Sequence, residues 1–230
     1  MKAPPVERKR VVPWPGDRVE AVVAEHPERF RAMPMVAAGV GLRQGEVFGL
    51  AVDDVDFLGR QVLVRHQVKL VGNQVVFAPP KGGGTREVPL ADVVAVAVAE
   101  RLRGWPAHEV ALPWREPGGE PTTLRLVFTT RERGPLTRRH YNVNVWKPAL
   151  VAAGVEPTRA NGMHALRHHY ASVLLEEGVN IRALADYLGH ADPGFTLRTY
   201  THLMPASADR ARQAIDAAFS REPGVSQDAR

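Results

Sequence analysis

Cysteine is absent from all 230 residues. That excludes disulfides, thiolate nucleophiles and Cys-based zinc sites, and it permits a reducing cytoplasm. No apolar run approaches the roughly 20 residues that a membrane-spanning helix needs. The basic, Pro-rich stretch from Met1 to Pro15 has no apolar centre like that of a secretory signal. The expectation is a cytoplasmic protein with no membrane partner. Internal repeats are absent too. What remains is the composition of a soluble domain, 44% hydrophobic and 24% charged, long enough for one sizeable core. The formal net charge of +5 favours an anionic partner. Most of the positive charge is arginine, whose planar fork suits phosphate better than lysine does.

Along the chain, residues 1–16 read as a basic, Pro-rich linker, with Arg8-Lys9-Arg10 and Pro4, Pro5, Pro13 and Pro15. Helices are expected from Asp17 to His26 and from Pro27 towards Val40, with Pro34 an irregularity and Gly41 the stop. Gln61–Arg65 and Gln74–Phe77 read as strands flanking the turn pair Gly72-Asn73. Arg86–Pro89 is a third strand, which puts Lys81 in the Gly-rich connection before it. A helix over Ala91–Arg103, a surface loop over Gly104–Thr123 and a short strand at Leu126–Phe128 follow. Further helices are expected at Thr137–Ala153, Met163–Glu177, Asn180–Leu188, Pro193–Thr201 and Pro205–Ala218. Leu166, Tyr170, Val173 and Leu174 share one helical face, as do Ile181, Leu184, Ala185 and Leu188. The expected fold is α+β, mostly helical, with a small three-stranded antiparallel sheet on one side. Residues 17–220 form the main domain and residues 221–230 a polar tail.

The polar groups of interest run from Met163 to His202. His164 and Arg167 are three residues apart, so a helix projects them from one face while Leu166 and Tyr170 turn into the core. His190 follows Gly189 at a helix end. Tyr200 lies between Thr199 and Thr201, a polar setting that favours exposure over that of Tyr141, Tyr170 or Tyr187. Upstream stand Arg43 with Glu46, and Lys81 with Arg86. Such a set answers the two obstacles to cutting a phosphodiester without metal. Two guanidiniums, Arg43 and Arg167, can neutralise the non-bridging oxygens, and a proton donor such as Lys81 can release the alkoxide. Phenolate is scarce for an unperturbed tyrosine of pKa ~10, so nearby cations and a histidine base must favour it. Simpler motifs fail. A P-loop places Lys after its glycines, whereas Lys81 precedes Gly82-Gly83-Gly84. His164 and His168 have zinc-helix spacing but lack the Glu of H-E-x-x-H.

In this order the residues resemble the tyrosine recombinase (phage integrase) family. The resemblance implies catalytic roles for Arg43, Lys81, His164, Arg167, His190 and Tyr200. It also implies supporting roles for Glu46 and His168, with Arg86, Arg131, Arg133, Arg138 and Arg139 as DNA-contacting candidates. It further implies site-specific DNA cleavage and rejoining through a 3′-phosphotyrosine, with no cofactor and no metal. The implied partners are double-stranded DNA and a homo-tetramer assembled on it. Ala165 stands where the family often has an acid. Only a short linker precedes Asp17, where the family usually carries a helical DNA-clamping domain. A catalytic-domain-only protein, a truncated product and an excised fragment all fit that departure. The alternatives to full strand exchange are a DNA-binding remnant or regulator, and relaxation of DNA in the manner of a type IB topoisomerase.

Overall fold

A computed structural model describes residues 11–82, 84–203 and 208–219. The first ten residues of the expected linker, Gly83, residues 204–207 and the expected tail at 221–230 lie outside the described residues.

Helix α1 (Gly16–Ala24) buries Val19 and Val22, and a 3-10 turn (Glu28–Phe30) leads into α2 (Ala32–Val40). Pro34 sits in the first turn of α2, where no intrahelical N–H bond is lost. Helix α2 is apolar on nearly every side because α1, α4 and α7 surround it. It stops at Gly41, whose φ of 69° is left-handed. An added Cβ there would meet the Tyr170 ring at 2.5 Å. Helix α3 (Gln44–Phe48) follows at once.

The sheet is three-stranded and antiparallel, ordered β1 (Val55–Asp56), β2 (Gln61–Val64), β5 (Arg86–Pro89). Its register sets Val62 opposite Val88 and Val64 opposite Arg86. A separate hairpin joins β3 (Gln67–Val71) to β4 (Gln74–Ala78) around Gly72-Asn73. The partner of β4 across that turn is therefore β3, and the expected strand at Gln61–Arg65 pairs elsewhere. The chain changes sheets at Arg65 and His66, whose side chains are both drawn to the buried carboxylate of Asp54, at 2.7 and 3.3 Å.

Helix α4 spans Asp92–Gly104. The stretch expected as a loop from Gly104 to Thr123 instead holds β6 (His108–Pro113) and the first half of β7 (Pro121–Leu126), an antiparallel hairpin. Pro113 and Pro121 lie at the strand ends, where proline costs no ladder bond. Helix α5 (Arg138–Tyr141), a π segment (Asn142–Trp146) and α6 (Lys147–Ala152) run on continuously. Trp146 stacks on Trp14 at 6.1 Å, which ties the end of the expected linker to the core. Helices α7 (His164–Glu176), α8 (Ile181–Leu188) and α9 (Pro193–Tyr200) then pack in sequence, with α10 (Ala208–Phe219) last. No helix among the described residues is long and apolar enough to cross a membrane.

Candidate active site

The C-terminal end of α2, the start of α3, strand β5, helix α7 and the ends of α8 and α9 meet around a set of cations. At its base lies Glu46, 1% exposed. One carboxylate oxygen accepts from Arg43 Nη1 at 3.0 Å and Arg86 Nη1 at 3.2 Å. The other accepts from the Arg43 backbone N–H at 2.9 Å and Arg86 Nη2 at 2.6 Å. All four acceptor positions are filled. Burial of the carboxyl works against its charge. The bonds and charge of Arg86, then of Arg43, outweigh that and hold Glu46 below the usual carboxylate range.

Arg86 differs from expectation. It is buried, locked to Glu46 through both terminal nitrogens, and its Nε donates to Tyr187 O at 2.8 Å. Its guanidinium is thus committed to protein groups and does not face a DNA surface. Strand alternation carries the signal: Arg86 and Val88 point to one side, and Val88 is core. Gly189, at φ 61°, makes room for it, since a Cβ there would stand 3.0 Å from Arg86 Cδ.

Arg167 is 1% exposed on α7. Its Nη1 donates to Gly41 O at 2.8 Å, and its Nη2 donates to Leu188 O and to His190 Nε2, the latter at 3.0 Å. Burial first and Arg43 second push its pKa down to about 9, so it remains a cation at neutral pH. A guanidinium can only donate, so His190 Nε2 accepts and its Nδ1–H donates to Thr196 Oγ1 at 2.7 Å. Both ring nitrogens of His190 are engaged by protein, and burial then Arg167 lower its pKa to about 4. Thr196 is fully buried and was not among the expected site residues. Its clue is a threonine one turn into α9 on the side that packs inward.

His164 and His168 lie one turn apart on α7 with rings edge to face at 4.6 Å. Desolvation lowers both to about 4, helped by Arg167, Arg43 and Lys81 at His164, and by His164 and Arg167 at His168. Neutral His168 Nδ1 accepts from the Tyr200 hydroxyl at 2.8 Å. Tyr200 is 2% exposed, contrary to the exposure expected of it. Its threonine neighbours do not mark solvent: the hydroxyls of Thr199 and Thr201 bond back to Phe195 O and Leu197 O within the helix. Burial raises Tyr200 to about 12, against the pull of Arg167 and Arg43. Among the competing tyrosines, Tyr141 is buried against His26 and Tyr170 packs on Gly41. Lys81 is exposed at the turn after β4, and its charge reaches His164. The adjoining Gly82 faces Gly189 O, where a Cβ would stand at 4.0 Å.

The remaining arginines divide into two groups. Arg138 and Arg139 are exposed on α5, one turn from Asn142, which accepts from Gln44 beside Arg43 at 2.6 Å. Arg131 and Arg133 are exposed elsewhere, where their charges act on Arg29 and His108. His169 is structural, bonded to Trp14 O at 2.8 Å.

The phage integrase family profile matches residues 17–206. A tyrosine recombinase XerC-like protein of Caldanaerobacter subterraneus subsp. tengcongensis is 31% identical over 206 residues, covering 83% of this chain and 50% of the relative. Tyrosine recombinase XerA of Thermococcus kodakarensis is 30% identical, covering 82% and 58%. The chain thus spans about half the length of the curated relatives it matches. In fold it is similar to the Tn1549 transposon integrase solved with transposon right end DNA, with a TM-score of 0.73 at 22% identity over 94% of this chain and 68% of that one. It is also similar to the catalytic domain of bacteriophage HP1 integrase, with a TM-score of 0.60 at 17% identity over 93% of this chain and 100% of that one.

Proposed function

The chain belongs to the phage integrase family, and on that premise we propose that it cuts and rejoins duplex DNA through a 3′-phosphotyrosine at Tyr200. The observation that carries this reading is three bonded groups within electrostatic reach of one another. One joins Glu46 to Arg43 and Arg86, one joins Gly41 to Arg167 and His190, and one joins His168 to Tyr200. Arg43 keeps donors free, and Arg167 keeps two of its five N–H groups after three bonds to protein. These grip the two non-bridging oxygens of the scissile phosphate. The Tyr200 oxygen attacks phosphorus as its proton passes to His168 Nδ1. The bond to the 5′-oxygen breaks, and Lys81 supplies that oxygen's proton. His164 donates to the phosphate from the cleft side. Attack by a 5′-hydroxyl of a partner strand reverses the step, so no nucleotide cofactor is consumed.

His168 therefore acts as the base for Tyr200, and His190 as the group that fixes Arg167. Glu46 and Arg86 hold the start of α3, strand β5 and the end of α8 in register. Tyr200 as seen is a guarded nucleophile, buried and bonded to its base. We assign residues 17–220 to the catalytic domain and place its work in the cytoplasm. Arg138 and Arg139 flank the duplex near Arg43. A tetramer on DNA fits the exposed Ile215 and Phe219 of α10, which present an apolar edge to a neighbouring copy.

The test is covalent trapping with a pool of nicked duplexes of randomised sequence, read on a denaturing gel. An adduct mapped by mass spectrometry to Tyr200, absent in Tyr200→Phe, supports the reading. An adduct that survives Tyr200→Phe, or maps to another residue, overturns the nucleophile.

A further inference from the structure

Away from the basin, a second pair of guanidiniums lacks what Arg43 and Arg86 share. Arg101, in the last turn of α4, is 3% exposed. Its Nη1 donates to Trp105 O, and the rings of Trp105 and Phe128 flank it at 5.6 and 5.7 Å. Among the described residues no protein group accepts from its Nε or its Nη2. Arg29, before α2, is in the same condition at Nε, although its Nη2 donates to Thr129 O at 3.2 Å and Thr130 O at 2.6 Å.

The charges nearby are mostly of one sign. Burial first, then Arg29, push the Arg101 pKa down to about 10. Burial, then Arg131, lower Arg29, with Glu132 opposing. His108 is lowered by partial desolvation, then by Arg133, Arg29 and Arg101. No carboxylate forms an ion pair with either arginine among the described residues. A cavity of about 340 Å³ opens beside Arg101, with Arg31, Arg103, Trp105, Glu28 and Glu100 also in its wall. It lies at the start of α2 and the end of α4, the far end of α2 from Gly41.

A buried cation with unfilled donors is costly unless an acceptor meets it. We propose that Arg101, supported by the charge of Arg29, binds a small free oxyanion of the phosphate class in this cavity. The Nε and Nη2 edge of Arg101, sealed from solvent as it stands, is the side-on fork that a tetrahedral oxyanion matches with two parallel bonds, reached when the covering Trp105 ring turns aside. Trp105 covers the guanidinium, and Met35 and Ala97 give the cavity apolar wall. A cavity of this size admits a small ion and not a duplex, and Glu28 and Glu100 in its wall oppose any anion against the three cations Arg31, Arg101 and Arg103.

The basin also attracts phosphate, so the experiment uses the full chain carrying Arg43→Ala. Potassium phosphate is titrated in chloride buffer and followed by calorimetry and tryptophan emission. The expected result is saturable binding with an emission change that Trp105→Phe removes. Arg101→Met is expected to weaken binding roughly tenfold or more, the loss of bonds to a charged partner. Arg101→Lys keeps the charge and loses the fork, so it is expected to weaken binding by a smaller factor. It carries the test alone if the Met variant does not fold. Affinity unchanged in Arg101→Lys or in Arg101→Met overturns the proposal. So does a short duplex that displaces phosphate and takes over the Trp105 signal.

Discussion

The two arginine clusters use the same side chain in opposite ways. Around Glu46, two guanidiniums converge on one carboxylate with every acceptor position filled. Around Arg101, two guanidiniums lie within reach of each other's charge, with donors unfilled and no acid paired to them among the described residues. The first arrangement is finished by the protein itself, so its cations are fixed before substrate arrives and little reorganisation remains for the chemical step. The second is finished only by something from outside. Counting buried arginines does not separate a preformed catalytic frame from a receptor; the fate of each N–H does.

The largest effect is expected where the finished cluster is broken. Glu46→Gln keeps the shape and removes the charge, which leaves Arg86 buried against Arg43 without a counter-ion. Loss of one partner from a buried pair costs about 3–5 kcal/mol, and urea denaturation should show a fall of that size. Glu46→Leu combined with Arg86→Met should recover more than half of it, because the buried Arg86 charge is gone and only the partly exposed Arg43 is left without its carboxylate. A double variant no more stable than Glu46→Gln would mean that Arg86 is held by Tyr187 O and packing rather than by the carboxylate.

Acid distinguishes the regions next. His26 is 1% exposed, bonded to Val22 O and Tyr141, and burial lowers it from 6.5 to about 4. Its folded pKa lies below its unfolded one, so the unfolded chain binds the extra proton between the two values. The contribution of His26 is full above pH 6.5 and falls as pH drops, by about 3 kcal/mol near pH 4 at 1.36 kcal/mol per unit, and His164, His168 and His190, lowered likewise, add losses in the same window. Glu46 is depressed as well, so its contribution is present above the ordinary carboxylate range and is lost only at lower pH. His26→Phe should flatten the slope of stability against pH between 6.5 and 4 by about one proton and leave the Glu46-dependent loss below it.

Gly189 tests how the frame is held together. Gly189→Ala places a Cβ at φ 61° and 3.0 Å from Arg86 Cδ. Left-handed strain of roughly 1–2 kcal/mol is expected in a thermal melt, together with a loss of adduct formation larger than that figure implies. The reason is that Arg86, Leu188 O and His190 all shift with it. Gly72→Ala, at φ 56° with open space around it, should carry similar strain and no loss of cleavage. Equal cleavage by both variants would mean that the end of α8 does not set Arg167.

Local pattern made the order of helices readable, because amphipathic stripes and punctuating glycines are local signals. The strand exchange at Arg65 and His66 was not readable, since it depends on Asp54 drawing both side chains across 11 and 12 residues. The β6–β7 hairpin was hidden behind prolines that the structure places at strand ends. Tyr200 was misjudged as exposed because threonine polarity is locally spent on Phe195 O and Leu197 O. The commitment of Arg86, a DNA-contacting candidate, to protein groups is not legible locally because its partner lies 40 residues upstream. In each case the missing information is a long-range bond that neutralises a polar group, which residue type alone does not announce.

The smallest effect is expected at the unfinished cluster. Arg101→Met removes a cation that no acid neutralises, together with one bond to Trp105 O and its ring contacts. Relief from burying the charge offsets those losses, so in chloride buffer stability should change by less than ~1 kcal/mol. Phosphate should reveal the difference. At a free concentration ten times the dissociation constant, a ligand bound only by the folded state adds about 1.4 kcal/mol, and this increment should appear in the Arg43→Ala chain and fall to about 0.4 kcal/mol or less when Arg101→Met is added. A loss above ~3 kcal/mol in chloride, with no dependence on phosphate in either chain, would make Arg101 a finished structural cation like Arg86 and erase the contrast between the two clusters.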